Sequence, residues 1–244
     1  MSAGPRRGVA GWQPEPGAGG WPVEAMDAPD VDPALLADCL DHLARLTAMT
    51  GVRRRIASAI ARIRPEATGL SVVDVGAGGG DVARYLLRRL GDRFALAVCV
   101  EPHRATAACM SARSAAEPRI RVLRGDALYL PLPDASVDIA MMNMALHHLP
   151  PSRQHRALSE LGRVARERVL VTDLAANALN RIGARLLTAT LWRGNPIVRA
   201  DAPVSVERGY TRPGLAELAR AAGLREVRVR SHFGHRLVLT ASPP

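Results

Sequence analysis

The stretch Leu70-Ser71-Val72-Val73-Asp74-Val75-Gly76-Ala77-Gly78-Gly79-Gly80 decides the fold. A short apolar run that gives way to glycines reads as a buried strand entering a turn in which the backbone takes torsions that side chains disfavour. Helical sequence follows from Asp81 to Leu90 and stops at Gly91. Strand, glycine turn and helix together form a general nucleotide-handling device. The turn lets a ligand approach the main chain, and the helix start presents unpaired N–H groups that favour a negative group. Taken alone the turn is ambiguous, because Gly78-x-Gly80-x-x-Ala83 also fits the dinucleotide fingerprint.

Working outward, Phe94 to Val100, Ile120 to Leu123, Val137 to Met142 and Val169 to Thr172 are further apolar runs. Helical segments, Arg104 to Ala116 and Ser152 to Arg166, separate them. Strands alternating with helices predict an open, mostly parallel α/β sheet. Before the glycine turn, Leu35, Leu36, Cys39, Leu40, Leu43 and Leu46 recur at helical steps, and Ile56 to Ile63 forms a second helical segment after Gly51. Residues 31–68 are therefore expected to be N-terminal helices with a linker, and residues 1–30, rich in Gly, Pro and Ala, a disordered tail. After the fifth run, Ala178 to Trp192 reads as a helix, Arg193 to Gly209 as irregular and Arg212 to Ala222 as a helix. Val227 to Arg230 and Arg236 to Thr240 read as strands joined so tightly that they must pair antiparallel.

The chain has 244 residues, 48% of them hydrophobic, which suffices for one well-buried core in a single domain spanning 31–244. No apolar run is long enough to span a membrane, and the N-terminus lacks the apolar centre of a secretory signal. Cys39, Cys99 and Cys109 share no metal-ligand spacing, so they are expected to be free thiols of a cytoplasmic protein, and no metal site is expected. The net charge of +10 invites a nucleic-acid partner, but all 33 basic residues are arginine and aromatics are only 3%. Stacking platforms are scarce, which argues for a solvated basic surface instead.

The acidic residues around the turn sharpen its meaning. Asp74 stands two residues before the first glycine, where a carboxylate suits a positive ligand group and repels a pyrophosphate. S-adenosylmethionine carries a sulfonium, an ammonium and a carboxylate, and no phosphate. Asp74 would hold its ammonium, and the amides of Gly76, Ala77, Gly78 and Gly80 its carboxylate. Glu101, followed by Pro102, ends the second strand and would accept both ribose hydroxyls. Asp126, followed by Ala127, would accept from the adenine amino group. Asn143 ends the fourth strand, and Met144 would line the same cleft. All of these fall at carboxyl ends of strands, where open α/β sheets bind ligands.

In order, the pieces Val72-Val73-Asp74-Val75-Gly76-Ala77-Gly78-Gly79-Gly80, Val100-Glu101, Gly125-Asp126-Ala127, Leu130-Pro131-Leu132-Pro133-Asp134-Ala135-Ser136-Val137-Asp138 and Leu146-His147-His148-Leu149 resemble class I S-adenosylmethionine-dependent methyltransferases of the small-molecule, type 11 group. The resemblance covers residues 70–173 and implies a seven-stranded Rossmann-like sheet whose last strand is antiparallel. Arg208-Gly209-Tyr210-Thr211 is similar to bacterial methyltransferases found beside polyketide-type pathways. One departure is Arg166-Glu167-Arg168, which stands where family members carry a Gly-Gly turn.

Methyl transfer needs alignment of donor and acceptor, and a base only where the acceptor must lose a proton early. His147 and His148 are the base candidates; on a helix the two could not face the cleft equally. Asp173 and Tyr210 are candidates for substrate contact. So is Trp192, in a helical substrate cap over 177–206 whose Ile182, Leu186 and Leu191 suggest an apolar or aromatic acceptor. The expected activity is O-methyl or C-methyl transfer to a small molecule of bacterial secondary metabolism, by a monomer or homodimer. An RNA methyltransferase and a non-catalytic donor-binding scaffold are the competing readings.

Overall fold

The computed structural model describes residues 21, 24–63, 68–190 and 192–244. Two helices lead, α1 (Pro33–Met49) and α2 (Val52–Ile63). The alternation follows: β1 (Leu70–Val75), α3 (Asp81–Leu90), β2 (Phe94–Glu101), α4 (Arg104–Arg113), β3 (Ile120–Arg124), β4 (Val137–Asn143), α5 (Pro151–Val164) and β5 (Ala165–Leu174). The chain ends with α6 (Ala178–Ala189), α7 (Pro196–Glu207), α8 (Arg212–Ala221), β6 (Arg225–His232) and β7 (Arg236–Ser242). The seven strands form one sheet in the order β3-β2-β1-β4-β5-β7-β6. β7 alone runs antiparallel, to both β5 and β6, as the short connection before it required.

Strand alternation divides the core between the two faces of this sheet. Val73, Val75, Met142, Val171 and Leu239 face α5 and α8, meeting Leu158, Leu161, Leu215 and Ala219. Val72, Cys99, Met141, Leu170 and Val238 face α2 and α3, meeting Ile56, Ile60, Leu86 and Leu87. Strands covered on both faces read as continuous apolar runs, which is why β1, β2 and β4 were legible. The Gly-Gly turn that Arg166-Glu167-Arg168 replaces is not needed here. α5 ends at Val164 and Ala165 already has extended torsions, so helix passes into strand without a loop.

Three expectations are corrected. The tail assigned to 1–30 ends earlier: residues 1–20, 22 and 23 lie outside the described residues, but Ala25–Asp27 form a 3-10 turn. Ala25 N and Met26 N donate to Asp201 Oδ1 and Oδ2 at 2.7 and 3.0 Å. The stretch read as irregular, Arg193 to Gly209, contains α7, which starts at Pro196 behind an Asn195 cap and carries Pro203 within it. Asn195 Oδ1 accepts from Val198 N, and the internal proline is what hid the helix in the sequence. The apolar face read on α6 is not packed, since Ile182 and Leu186 are 55% and 62% exposed. Leu191 lies outside the described residues. Ile197 and Val198 of α7 instead pack with Cys39 of α1, Ala25 and Trp192. Among the described residues no helix is long and apolar enough to cross a membrane.

The glycine turn leaves little choice of residue. Gly76 has φ +69°, and a Cβ there would stand 2.5 Å from the Ala145 Cβ after β4. Left-handed torsion costs a side chain about 1–2 kcal/mol and overpacking about 1–3 kcal/mol. Gly76→Ala is therefore expected to destabilise the fold by roughly 2–4 kcal/mol in urea denaturation. An unchanged midpoint would show that the turn and Ala145 yield easily.

Candidate active site

The carboxyl edge of the sheet gathers the candidate residues. Pairing of Asp74 with Cys99 and Met141, of Asn143 with Thr172, and of Leu174 with Arg236 puts one set of side chains on one face. Across the strands that face reads Glu101, Asp74, Asn143, Thr172 and Arg236. The Thr172 hydroxyl donates to Asn143 Oδ1 and fixes the amide.

Asp74 is 2% exposed, and its Oδ1 is buried with no partner. Burial, then Asp81 and Glu101, push its pKa well above the usual carboxylate range. Glu101 holds the turn: Oε2 accepts from Gly78 N at 3.0 Å and Oε1 from His103 N at 3.1 Å. Burial outweighs these bonds and pushes Glu101 up to about 7. Each of its oxygens keeps a second lone pair, so the expected role toward a ribose is compatible with this one. Gly80, which is left-handed, caps α3, and Asp81 lies in the first turn. Asp126 is exposed and its Oδ1 accepts from Leu128 N at 2.9 Å, closing a turn; Ala127 is half-buried and Pro102 exposed. Met144, half-buried with φ +56°, follows Asn143 on the same rim.

His147 and His148 sit on a 3-10 turn, Leu146–His148, rather than on an α-helix. Their rings lie 4.5 Å apart and tilted, with His147 buried and His148 half-buried. His147 Nδ1 meets Asp173 Oδ1 at 2.7 Å, and His148 Nδ1 meets Asp27 Oδ2 at 2.9 Å. Asp173 also accepts from His147 N at 3.2 Å and Leu174 N at 2.7 Å. Burial works against its charge, but His147 and these bonds hold its pKa below the usual value. It is thus neither a helix cap nor an open substrate contact, but the orienting partner of His147.

Glu24, 123 residues away in sequence, completes the group. Its carboxylate stands 3.9 Å from His147 Nε2 and 3.6 Å from His148 Nε2, beyond hydrogen-bond length. Ser205 and Arg208 hold Oε1 at 2.9 and 3.3 Å. Burial opposes the charge on His148, yet Glu24 and Asp27 hold its pKa up at about 10. Glu24, His147 and His148 are also the described residues whose donor atoms, within 4.8 Å of one another, have the make-up of a cation site. Spacing in sequence could not show this, since Glu24 belongs to the stretch read as tail. Tyr210 packs beside β5, bridged to Ala175, with its hydroxyl buried and unpartnered. Trp192 is half-buried and packs against the cluster of Ile197, Val198 and Cys39.

Asp201, which anchors the Ala25–Asp27 turn, gives a pH dependence. Burial, then Glu24, push it up to about 7 from 3.8. A raised carboxyl means the folded protein holds a proton that the unfolded chain releases near pH 4. Its contribution to stability is present below that pH and is lost as pH rises to 7. Between pH 4.5 and 8 the wild type is expected to lose on the order of 2 kcal/mol that Asp201→Asn does not lose. Equal slopes in denaturant titrations of the two proteins would refute this.

Residues 72–168 match the family described as Methyltransferase domain. No curated protein matches the chain. In structure it is similar to an S-adenosylmethionine-dependent methyltransferase from Aquifex aeolicus, with TM-score 0.64, 20% identity, and coverage of 87% of this chain and 99% of that one. It is similar to human N-acetylserotonin methyltransferase, solved with S-adenosylmethionine: TM-score 0.63, 15% identity, coverage 86% and 56%. It is also similar to the [4+2]-cyclase SpnF: TM-score 0.56, 20% identity, coverage 78% and 81%. Residues 72–168 thus match a methyltransferase domain, and the chain has the fold of these S-adenosylmethionine-dependent methyltransferases.

Proposed function

We propose that the protein methylates an oxygen of a small, largely apolar molecule, with His147 as the base that takes the acceptor's proton. The observation that carries this reading is the buried His147–Asp173 pair at 2.7 Å beside the end of β4. Asp173 accepts from Nδ1–H and fixes the tautomer, so the lone pair lies on Nε2. An acceptor hydroxyl that reaches Nε2 displaces Glu24, which keeps Ser205 and Arg208 as partners on Oε1.

At the donor end the residues fit the cofactor. Asp74 offers a desolvated, unpartnered oxygen suited to an ammonium, and Gly76 leaves no room for a side chain where the main chain must be approached. Asp74, Gly76, Ala77, Gly78, Gly80, Glu101, Pro102, Asp126, Ala127, Asn143 and Met144 form the proposed donor site. The bound donor supplies a methyl group already activated by its sulfonium. The chain's task is to align the acceptor, exclude water beneath α7 and the Ala25–Asp27 turn, and accept the proton at Nε2.

Incubation with labelled donor and a host metabolite extract tests the reading. One labelled product of apolar character, absent with His147→Gln, is expected. Only very polar labelled products, or labelled RNA, would refute it. A similar fold in a cyclase supports a second reading, in which the donor is bound and not consumed. Its mark would be donor binding without release of S-adenosylhomocysteine.

A further inference from the structure

Arg236 is the charged group at the sheet edge that proton removal and donor binding leave unused. It opens β7 opposite Leu174, on the face that carries Asp74, Asn143 and Thr172. It is 4% exposed, yet among the described residues no carboxylate lies within 4.0 Å of it and none accepts a hydrogen bond from it. Its Nε is buried without a partner. Asp173, the acid that acts on it electrostatically, is already committed to His147 and to two backbone N–H groups.

A guanidinium carries five donors, and burying one unpaired costs several kcal/mol. Burial pulls its pKa down only to about 10, so it stays charged at neutral pH. Folds keep such a group where a ligand pairs with it. The row of side chains has a matching polarity: two carboxylates, Glu101 and Asp74, at the proposed donor end and one guanidinium at the other. Arg236 is two strands from Asn143, which at the usual strand spacing is about 10 Å, the length of a small acceptor.

Resting on the methyl-transfer reading above, we infer that Arg236 binds an anionic oxygen group of the acceptor, a carboxylate or an acidic enolate. The substrate is then amphipathic: an apolar body beneath α7, one negative end on Arg236, and the reacting oxygen at His147.

The test uses the full chain saturated with S-adenosylhomocysteine. Calorimetry compares matched probes that differ in charge: 4-hydroxybenzoate with 4-hydroxybenzamide, 3-hydroxydecanoate with its amide, and 4-hydroxycoumarin with 4-methoxycoumarin. At least one acid should bind about tenfold or more tighter than its neutral partner. The pair that discriminates separates carboxylate from enolate. In Arg236→Met the preference should fall to under about twofold, with S-adenosylhomocysteine affinity unchanged; Arg236→Lys should keep part of it. Equal binding within every pair, no binding of any acid, or a preference that survives in Arg236→Met would overturn the inference. If Arg236→Met does not fold, the wild-type comparison and the Lys variant still decide. Failure of wild type to bind S-adenosylhomocysteine would instead remove the methyltransferase reading.

Discussion

Replacing His147 with glutamine is expected to lower the turnover number by about 10²- to 10³-fold while donor affinity stays within about twofold. Glutamine fills much of the space of the imidazole and can still donate toward Asp173, but it cannot take a proton. Asp173→Asn should cost less, about tenfold or more, because the imidazole remains while its fixed tautomer is lost. His147 is fully buried, so both variants need a thermal midpoint beside the kinetics. The informative pattern is a fall in kcat with the acceptor KM little changed, which marks an interaction made in the transition state. Turnover that survives in both variants would leave alignment as the whole of catalysis and remove the base.

Asp74→Asn is expected to weaken donor binding by about 10- to 100-fold, the range for losing a charge-assisted bond in a buried site. The change is isosteric, so the fold should persist, and by removing a desolvated carboxyl it should even gain stability. The pH dependence adds a second readout. Burial and its acidic neighbours raise the pKa of Asp74 in the free protein, so the carboxyl must lose a proton before it can pair with an ammonium. Wild-type affinity should therefore climb with pH until that raised pKa is passed, and the asparagine variant should lose the climb. Calorimetry at several pH values measures both. Equal affinity in the two proteins would remove Asp74 from the donor site.

Much of this architecture was legible because it rests on local pattern. Apolar runs ending in glycine, or in the acidic and amide residues Glu101 and Asn143, announce strands covered on both faces. The three residues between His232 and Arg236 leave room only for a hairpin. α7 was hidden by Pro203, and α6 misled because its apolar spacing belongs to an exposed face. At the site, the proposed donor residues lie at strand ends and were read as a set. The acceptor end is assembled from distant pieces and was not. Glu24 came from a stretch composed like a tail, Ala25 N and Asp201 meet across 176 residues of sequence, and Arg236 gave no sign beyond a charge at the head of an apolar strand.

By itself, then, the amino-acid sequence determined the strand–helix alternation, the class of fold and the glycine turn with its acidic neighbours. Backbone torsion and two-sided burial constrain residues one at a time and leave their mark in local spacing. Only the tertiary structure decided that His147 is held by Asp173, that Glu24 faces both imidazoles, and that Arg236 is buried without a counter-charge. Charge pairing and desolvation depend on distances through space, and those exist only once the sheet brings the strand ends to one edge.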